Sequence, residues 1–241
     1  MQDANAAVYG QEYAEWKGWA KDDFGHFDRA DAVYFEAELR RTKLSFPPGS
    51  RILEIGFGNG NFLGFATAKG WLAEGTEVNP ALIAAARAKG YHVAHAASLS
   101  EFADGSFDLV VAWDVLEHID RREVMTFLKE VKRVQKMGGI FLARFPNGSS
   151  PFGLYYQNGD LTHVLAVGIP MAEYFADALE EQIVFLGGEA MPLFQRGIGH
   201  FVVRLCGAVV RPVCDLLARM LLESGSRTSF CSKNLVLILR K

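Results

Sequence analysis

The chain has only three cysteines, Cys206, Cys214 and Cys231, and none stands in a CxxC spacing. That scarcity suits a reducing compartment and argues against a thiolate-held structural metal site, so no metal is expected. It has no surplus of basic charge either: 25 lysines and arginines against 28 aspartates and glutamates leave a net charge of −3. A protein whose task is to coat nucleic acid needs a concentrated basic face, so no nucleic-acid partner is expected. Repeats and low-complexity tracts are missing. No apolar run is long enough to cross a membrane, because Arg204, Arg211, Asp215 and Arg219 break the most apolar stretch, 198–222. The first residues, Met1 to Asn5, lack the basic start and apolar core of a secretory signal, and a cytoplasmic chain is expected.

What is present is a globular composition, 50% hydrophobic and 22% charged, over 241 residues. This is enough for one sizeable core and short for two enzymatic domains, so residues 1–241 are read as one domain. An aromatic, charged segment with Tyr9, Tyr13, Trp16, Trp19, Phe24, Phe27, Tyr34 and Phe35 reads as a helical lid or flank within residues 1–48, ending before Pro47-Pro48-Gly49. Beyond it strands and helices alternate: strand 51–55, helix 61–69, strand 72–78, helix 80–89 opened by Asn79 and Pro80, and strand 91–94. Strand 107–113, helix 122–135 and strand 140–144 follow. Such alternation implies a doubly wound α/β architecture, a mostly parallel sheet covered on both faces. The pattern weakens after residue 145: a loop to Asp160, a helix over 171–181, a strand near 190–194, an apolar helix pair over 198–222 interrupted by Pro212, and a last strand over 234–239.

Glu54-Ile55-Gly56-Phe57-Gly58-Asn59-Gly60-Asn61 lies between the first strand and the first helix of this series. Its glycines let the backbone pass close to a ligand while helix N–H groups point at it. The spacing is GxGxG and not the GxGxxG of dinucleotide enzymes, since Asn61 and Leu63 stand where a third glycine belongs, so an NAD-dependent oxidoreductase is disfavoured. Glu77 closes the second strand seventeen positions after Gly60, where a carboxylate accepts ribose hydroxyls.

These residues resemble the class I S-adenosylmethionine-dependent methyltransferases. Glu54 to Gly60 looks like the first motif of that family and Glu77 like its ribose-holding acid. Ser106 to Ile119 is similar to its fourth-strand motif, and Val134 to Gly139 to the turn before its fifth strand, with Met137 where relatives commonly have proline. The resemblance implies a Rossmann-like, mostly parallel seven-stranded sheet with N-terminal helices and a helical C-terminal insertion before the last strand. It implies S-adenosylmethionine as cofactor, held by Glu54, Gly56, Phe57, Gly58, Gly60, Glu77 and Val78 within a core of residues 50–145. Trp113 and Asp114 would lie beside it, and Ser98 and Leu99 near its adenine; Ser98 departs from the acidic residue many relatives carry there.

Methyl transfer from a sulfonium needs an acceptor held in line and, for a hydroxyl, removal of a proton. His118 and His163 are the candidate bases, with Asp160 placed to orient His163. The Glu15-Trp16-Lys17-Gly18-Trp19 segment, the glycine turn and Asp160 to His163 together resemble methyltransferases of bacterial surface-polysaccharide biosynthesis, which implies O-methylation of a sugar hydroxyl on a small-molecule or glycan acceptor. A quinone-type or other small-molecule methyltransferase and a non-catalytic cofactor-binding interaction protein are the alternatives. The apolar stretch 198–222, with Arg204, Arg211 and Arg219 near one stripe, is expected to pack on the sheet or on a twin subunit, or to make a peripheral membrane contact.

Overall fold

The computed structural model describes residues 11–19, 23–95, 99–222 and 229–241. Among these, seven strands form one sheet: β1 (Arg51–Ile55), β2 (Leu72–Glu77), β3 (His92–His95), β4 (Phe107–Trp113), β5 (Gln135–Pro146), β6 (Gln182–Gly188) and β7 (Asn234–Arg240). Their order is β3-β2-β1-β4-β5-β7-β6. The first five pair in parallel, while β7 runs antiparallel to both β5 and β6. This is the doubly wound sheet expected from the alternation of elements, closed by a mixed C-terminal edge.

Period-two alternation assigns each strand residue to a face. Leu53, Ile55, Val110, Ala112, Phe141, Ala143, Leu235 and Leu237 point one way, under helices α5 (Val124–Val134) and α7 (Ile169–Leu179), where Leu128, Val131, Phe175 and Ala176 meet them. Ile52, Leu109, Val111, Ile140, Leu142, Val236 and Ile238 point the other way, under α2 (Arg29–Arg40) and α3 (Asn61–Ala68), against Phe35, Leu39, Phe62 and Phe65. Burial on both faces explains why β4 reads as the continuous apolar run Leu109 to Ala112. Each such side chain contributes roughly 1.5–3 kcal/mol.

Local chemistry sets the helix starts that face the site. Asn79 caps α4 (Pro80–Ala88) by accepting from the amides of Ala81 and Leu82 at 2.9 and 3.4 Å, with Pro80 in the first turn. Asp28 and Asp31 close a reciprocal capping box on α2. Helix α1 (Gln11–Trp16) precedes them.

Three expectations are corrected. The strand read near 190–194 lies at Gln182–Gly188, because antiparallel register against β7, from Gln182 opposite Arg240 to Gly188 opposite Leu235, decides which apolar segment joins the edge. The loop before Asp160 contains helix α6 (Pro151–Asn158), started by Ser150 accepting from the Phe152 amide at 3.1 Å. The apolar pair is one continuous helix, α8 (Ile198–Leu222), which runs through Pro212 although proline supplies no amide to the ladder. Helix α8 is also inverted. Val210, Val213 and Met220 on its outer face are 54–70% exposed, whereas Arg41, Glu189, His200, Arg204 and Arg211, with Val203 and Met191, line a groove of about 500 Å³ beneath it. Packing of its apolar stripe on the sheet is therefore overturned. Among the described residues no helix is long and apolar enough to cross a membrane.

The C-terminal edge also carries an ionisation that opposes folding. Burial pushes the Glu181 carboxyl up to about 6 despite the opposing fields of Lys132 and Lys241, and its Oε1 has no hydrogen-bond partner. A folded-state pKa above the unfolded one means stability is full below about 4.5 and falls as pH rises through about 6. Glu181→Gln is expected to match wild-type stability at pH 4.5 and to exceed it by about 1 kcal/mol at pH 7.5, solvent screening allowed for, in urea denaturation at the two pH values.

Candidate functional site

Strand β1 ends centrally in the sheet, beside the point where chain order reverses between β1 and β4, and the chain turns there through Gly56, Phe57, Gly58, Asn59 and Gly60 into α3. Gly56, Gly58 and Gly60 have φ of 68°, 52° and 75°, the left-handed region in which a side chain is strained. The turn is anchored to β2: the amides of Gly56 and Phe57 donate to the Thr76 carbonyl at 2.7 and 3.2 Å, and the Gly58 amide donates to Glu77 Oε2 at 3.0 Å.

Glu77 is buried and also accepts from the Val78 and Asn79 amides, at 2.7 and 3.1 Å, through Oε1. Burial raises its carboxyl, and these three amides pull it back toward the ionised form. Three donors occupy most of the roughly four acceptor positions of a carboxylate. Glu77 thus shapes the turn through these three amides. Glu54, 3% exposed, lies beneath the turn, and its Oε2 has no hydrogen-bond partner among the described residues. Burial holds its carboxyl well above the usual carboxylate range despite a hydrogen bond from the Leu63 amide.

The other expected cofactor residues divide. Val78 is half-buried just past Glu77. Phe57 is a core side chain, edge-on to Phe24 with ring centroids 5.6 Å apart, and offers a ligand only its backbone. Trp113 packs against Tyr34, Phe35 and Phe62. Asp114 has φ of 56° and is ion-paired with Arg144, which also donates to the Tyr34 hydroxyl. Leu99 is buried under α5, its carbonyl accepting from Arg133 Nη2 at 2.9 Å. Ser98 lies outside the described residues.

The N-terminal segment straps this turn. The Gly25 amide donates to the Asn59 carbonyl at 2.8 Å, Phe24 sits where a Cβ on Gly60 would be, 2.6 Å from its ring, and Trp19 lies 3.0 Å from the corresponding position on Gly58. Two residues earlier Lys17 Nζ reaches Asp160 Oδ2 at 2.9 Å, joined there by the Tyr13 hydroxyl at 3.1 Å. Two residues span about 7 Å, so the strap ties the glycine turn to a second group of residues at the same end of the sheet.

That group brings together the two histidines predicted separately. His118 closes a short 3-10 turn after β4, His163 comes from the loop after α6, and their rings stand 4.6 Å apart, edge to face. The amides of Val164 and Leu165 donate to the Glu117 carbonyl at 2.8 and 3.0 Å and pin the two loops together. His163 Nε2 lies 3.7 Å from Asp160 Oδ2 and 4.0 Å from Glu117 Oε1. Burial, and secondarily His163, brings His118 down to about 4. Glu117 is 1% exposed, neither carboxylate oxygen has a hydrogen-bond partner, and burial together with Asp114 raises its carboxyl well above the usual range. Sequence reading missed Glu117, Thr162, Tyr13 and Lys17 as members of this site; adjacency of Glu117 to His118 was the one signal for them.

Residues 53–143 match the family model of a methyltransferase domain. An uncharacterized methyltransferase of Mycobacterium sp. (strain KMS) is 30% identical over 139 residues, 56% of this chain and 54% of that protein. The chain spans about half the length of the curated relatives it matches. Among solved structures, a SAM-dependent methyltransferase from Archaeoglobus fulgidus superposes with a TM-score of 0.63 at 20% identity, over 87% of this chain and 94% of that one. The [4+2]-cyclase SpnF superposes at 0.58 and 19% identity, over 88% and 80%. The fold is that of the S-adenosylmethionine-dependent methyltransferases, and the cofactor of such domains is S-adenosylmethionine. The residues fit that molecule: a buried Glu54 oxygen without a hydrogen-bond partner among the described residues, the Glu77 carboxylate and three glycines with left-handed φ match a ligand bearing an ammonium and hydroxyls.

Proposed function

We propose that the chain is an S-adenosylmethionine-dependent methyltransferase acting on a hydroxyl oxygen of a small polar acceptor, with a sugar hydroxyl as the favoured case. The observation that carries this reading is the buried polar group of Glu117, His118, Asp160 and His163 at the sheet end that also bears the glycine turn. When bound, the cofactor supplies a methyl group on a sulfonium sulfur, which keeps the bonding pair as the acceptor oxygen takes the carbon. Glu54, Glu77 and the glycine turn bind and orient it. Trp19, Phe24 and Lys17 of the strap cover the passage between turn and polar group and exclude water. The acceptor hydroxyl proton passes to the lone pairs of the polar group, His163 and His118 being the nitrogen acceptors. The preference for a saccharide rests on the sequence resemblance, and the outward apolar face of α8 supports an acceptor carried on a lipid.

Calorimetric titration with S-adenosylmethionine, S-adenosylhomocysteine and NAD tests the first half. Micromolar affinity for the two adenosyl ligands and silence for NAD are expected, and Glu77→Ala should weaken both adenosyl ligands by about tenfold or more through loss of a charged acceptor and of the Gly58 anchor. Silence from all three ligands, or wild-type affinity in Glu77→Ala, contradicts the assignment.

A further inference from the structure

The polar group has a property that proton transfer does not require: its histidine tautomers are both set by neighbours. The Thr162 hydroxyl has one proton and stands 2.6 Å from Asp160 Oδ1, a carboxylate that the Lys17 ammonium at 2.9 Å keeps ionised and purely accepting. Thr162 therefore donates to Asp160, and His118 Nδ1, 2.8 Å from the same hydroxyl oxygen, must be the donor. His163 Nδ1 lies 3.1 Å from the Gln157 carbonyl oxygen, which can only accept. Both rings carry the proton on Nδ1 and the lone pair on Nε2. Hydrogen bonding of one imidazole nitrogen to a carboxylate chain or a carbonyl is how metal-binding histidines are oriented.

The third member is Glu117. One ligand atom from each of Glu117, His118 and His163 lies within 4.8 Å of the others. The Glu117 carboxylate is all but inaccessible, and among the described residues neither oxygen has a hydrogen-bond partner, which leaves a buried acid without the donor that burial demands. A cation supplies what the protein does not. We propose that Glu117, His118 and His163 form a binding site for a divalent first-row transition-metal ion, a two-histidine, one-carboxylate set with positions open for an exogenous oxygen. Bonds of about 2.0–2.2 Å would draw the three atoms to roughly 3.3 Å apart, a closing of up to about 1.5 Å. Two imidazoles with one carboxylate favour zinc, manganese or iron over magnesium and calcium, which prefer all-oxygen sites. With the ion bound, the two Nε2 lone pairs are its ligands and no longer take the acceptor proton; the open positions would place an acceptor hydroxyl oxygen on the ion and lower its pKa, so that its proton leaves to solvent, and this last step rests on the methyltransferase reading, whereas ion binding does not.

The test is titration of tag-free, metal-stripped protein with Co²⁺ alone, followed by optical absorption. One Co²⁺ per chain with visible ligand-field bands is expected, displaced by Zn²⁺ and not by a roughly hundredfold excess of Mg²⁺. His163→Gln and Glu117→Gln should each weaken binding by about 100-fold or more, and Thr162→Val, which removes the hydroxyl between His118 Nδ1 and Asp160 Oδ1 and leaves Nδ1 the Thr162 carbonyl at 3.3 Å, by about tenfold. Circular dichroism and S-adenosylmethionine titration of the same variants identify any that fail to fold, and Thr162→Val then carries the comparison. Absence of stoichiometric Co²⁺ binding, or wild-type affinity in the folded variants, overturns the site. Ion binding without S-adenosylmethionine binding would instead leave the site standing and overturn the proposed function.

Discussion

Gly58→Val is expected to weaken S-adenosylmethionine binding by about 100-fold or more in calorimetry, the largest functional effect of any single change in the cofactor half. Two causes act together. Gly58 has φ of +52°, where a β-branched residue costs of order 1–3 kcal/mol, and its amide must keep its aim at Glu77 Oε2. A Cβ there would stand 3.0 Å from the Trp19 ring, so the side chain also pushes the strap away from the turn. Gly105→Val is the matched control, since Gly105 has φ of +60° with nothing within 4 Å of the added Cβ. It should pay a similar strain in stability and retain wild-type affinity. Equal loss of binding in both variants would show that the turn is not where the cofactor sits.

The largest stability effect is expected at Gly64→Ala. Gly64 is in α3, and a Cβ on it would lie 1.9 Å from the Gly25 carbonyl oxygen, a backbone atom that cannot swing aside as a side chain tip does. The strap must lift or the helix must shift, at a cost of about 3 kcal/mol, and the melting temperature should fall by roughly 6–12 °C in calorimetric scans. Because the Gly25 amide holds the Asn59 carbonyl of the glycine turn, cofactor affinity should fall with it. A melting temperature within about 2 °C of wild type would mean that the strap does not dock on α3 as described.

Both predictions bear on the half of the molecule that sequence alone determined. A short apolar strand, three glycines at alternate positions and a helix start constitute a local instruction, because left-handed φ values and helix-end amides are properties of a few consecutive residues. Glu77 was legible for the same reason, as was the Asn79 cap. The periodicity of Leu53, Leu109, Val111 and Leu142 placed the sheet core, since burial on two faces leaves no polar position to confuse the pattern. Even here the tertiary structure revised roles: Phe57, Leu99 and Trp113 are packed side chains, and Asp114 is committed to Arg144.

The polar group was named in part from the sequence, as His118, His163 and Asp160, but its assembly was decided by tertiary structure. Lys17, Glu117 and the Asp160–His163 segment are far apart in sequence and meet only when the strap, the turn after β4 and the loop after α6 converge. Burial of Glu117 without a partner is a consequence of that convergence, not of any motif. Helix α8 shows the limit most directly: a stripe of apolar residues at helical spacing establishes that two faces exist, but which one turns inward depends on what lies beneath. Here Glu189, Arg204 and Arg211 line the inner side together with Val203, and Val210, Val213 and Met220 are left outside. Local conformation follows from neighbours in the chain, and sequence carries it; distant encounters follow from how finished elements pack, and that information exists only in the folded molecule.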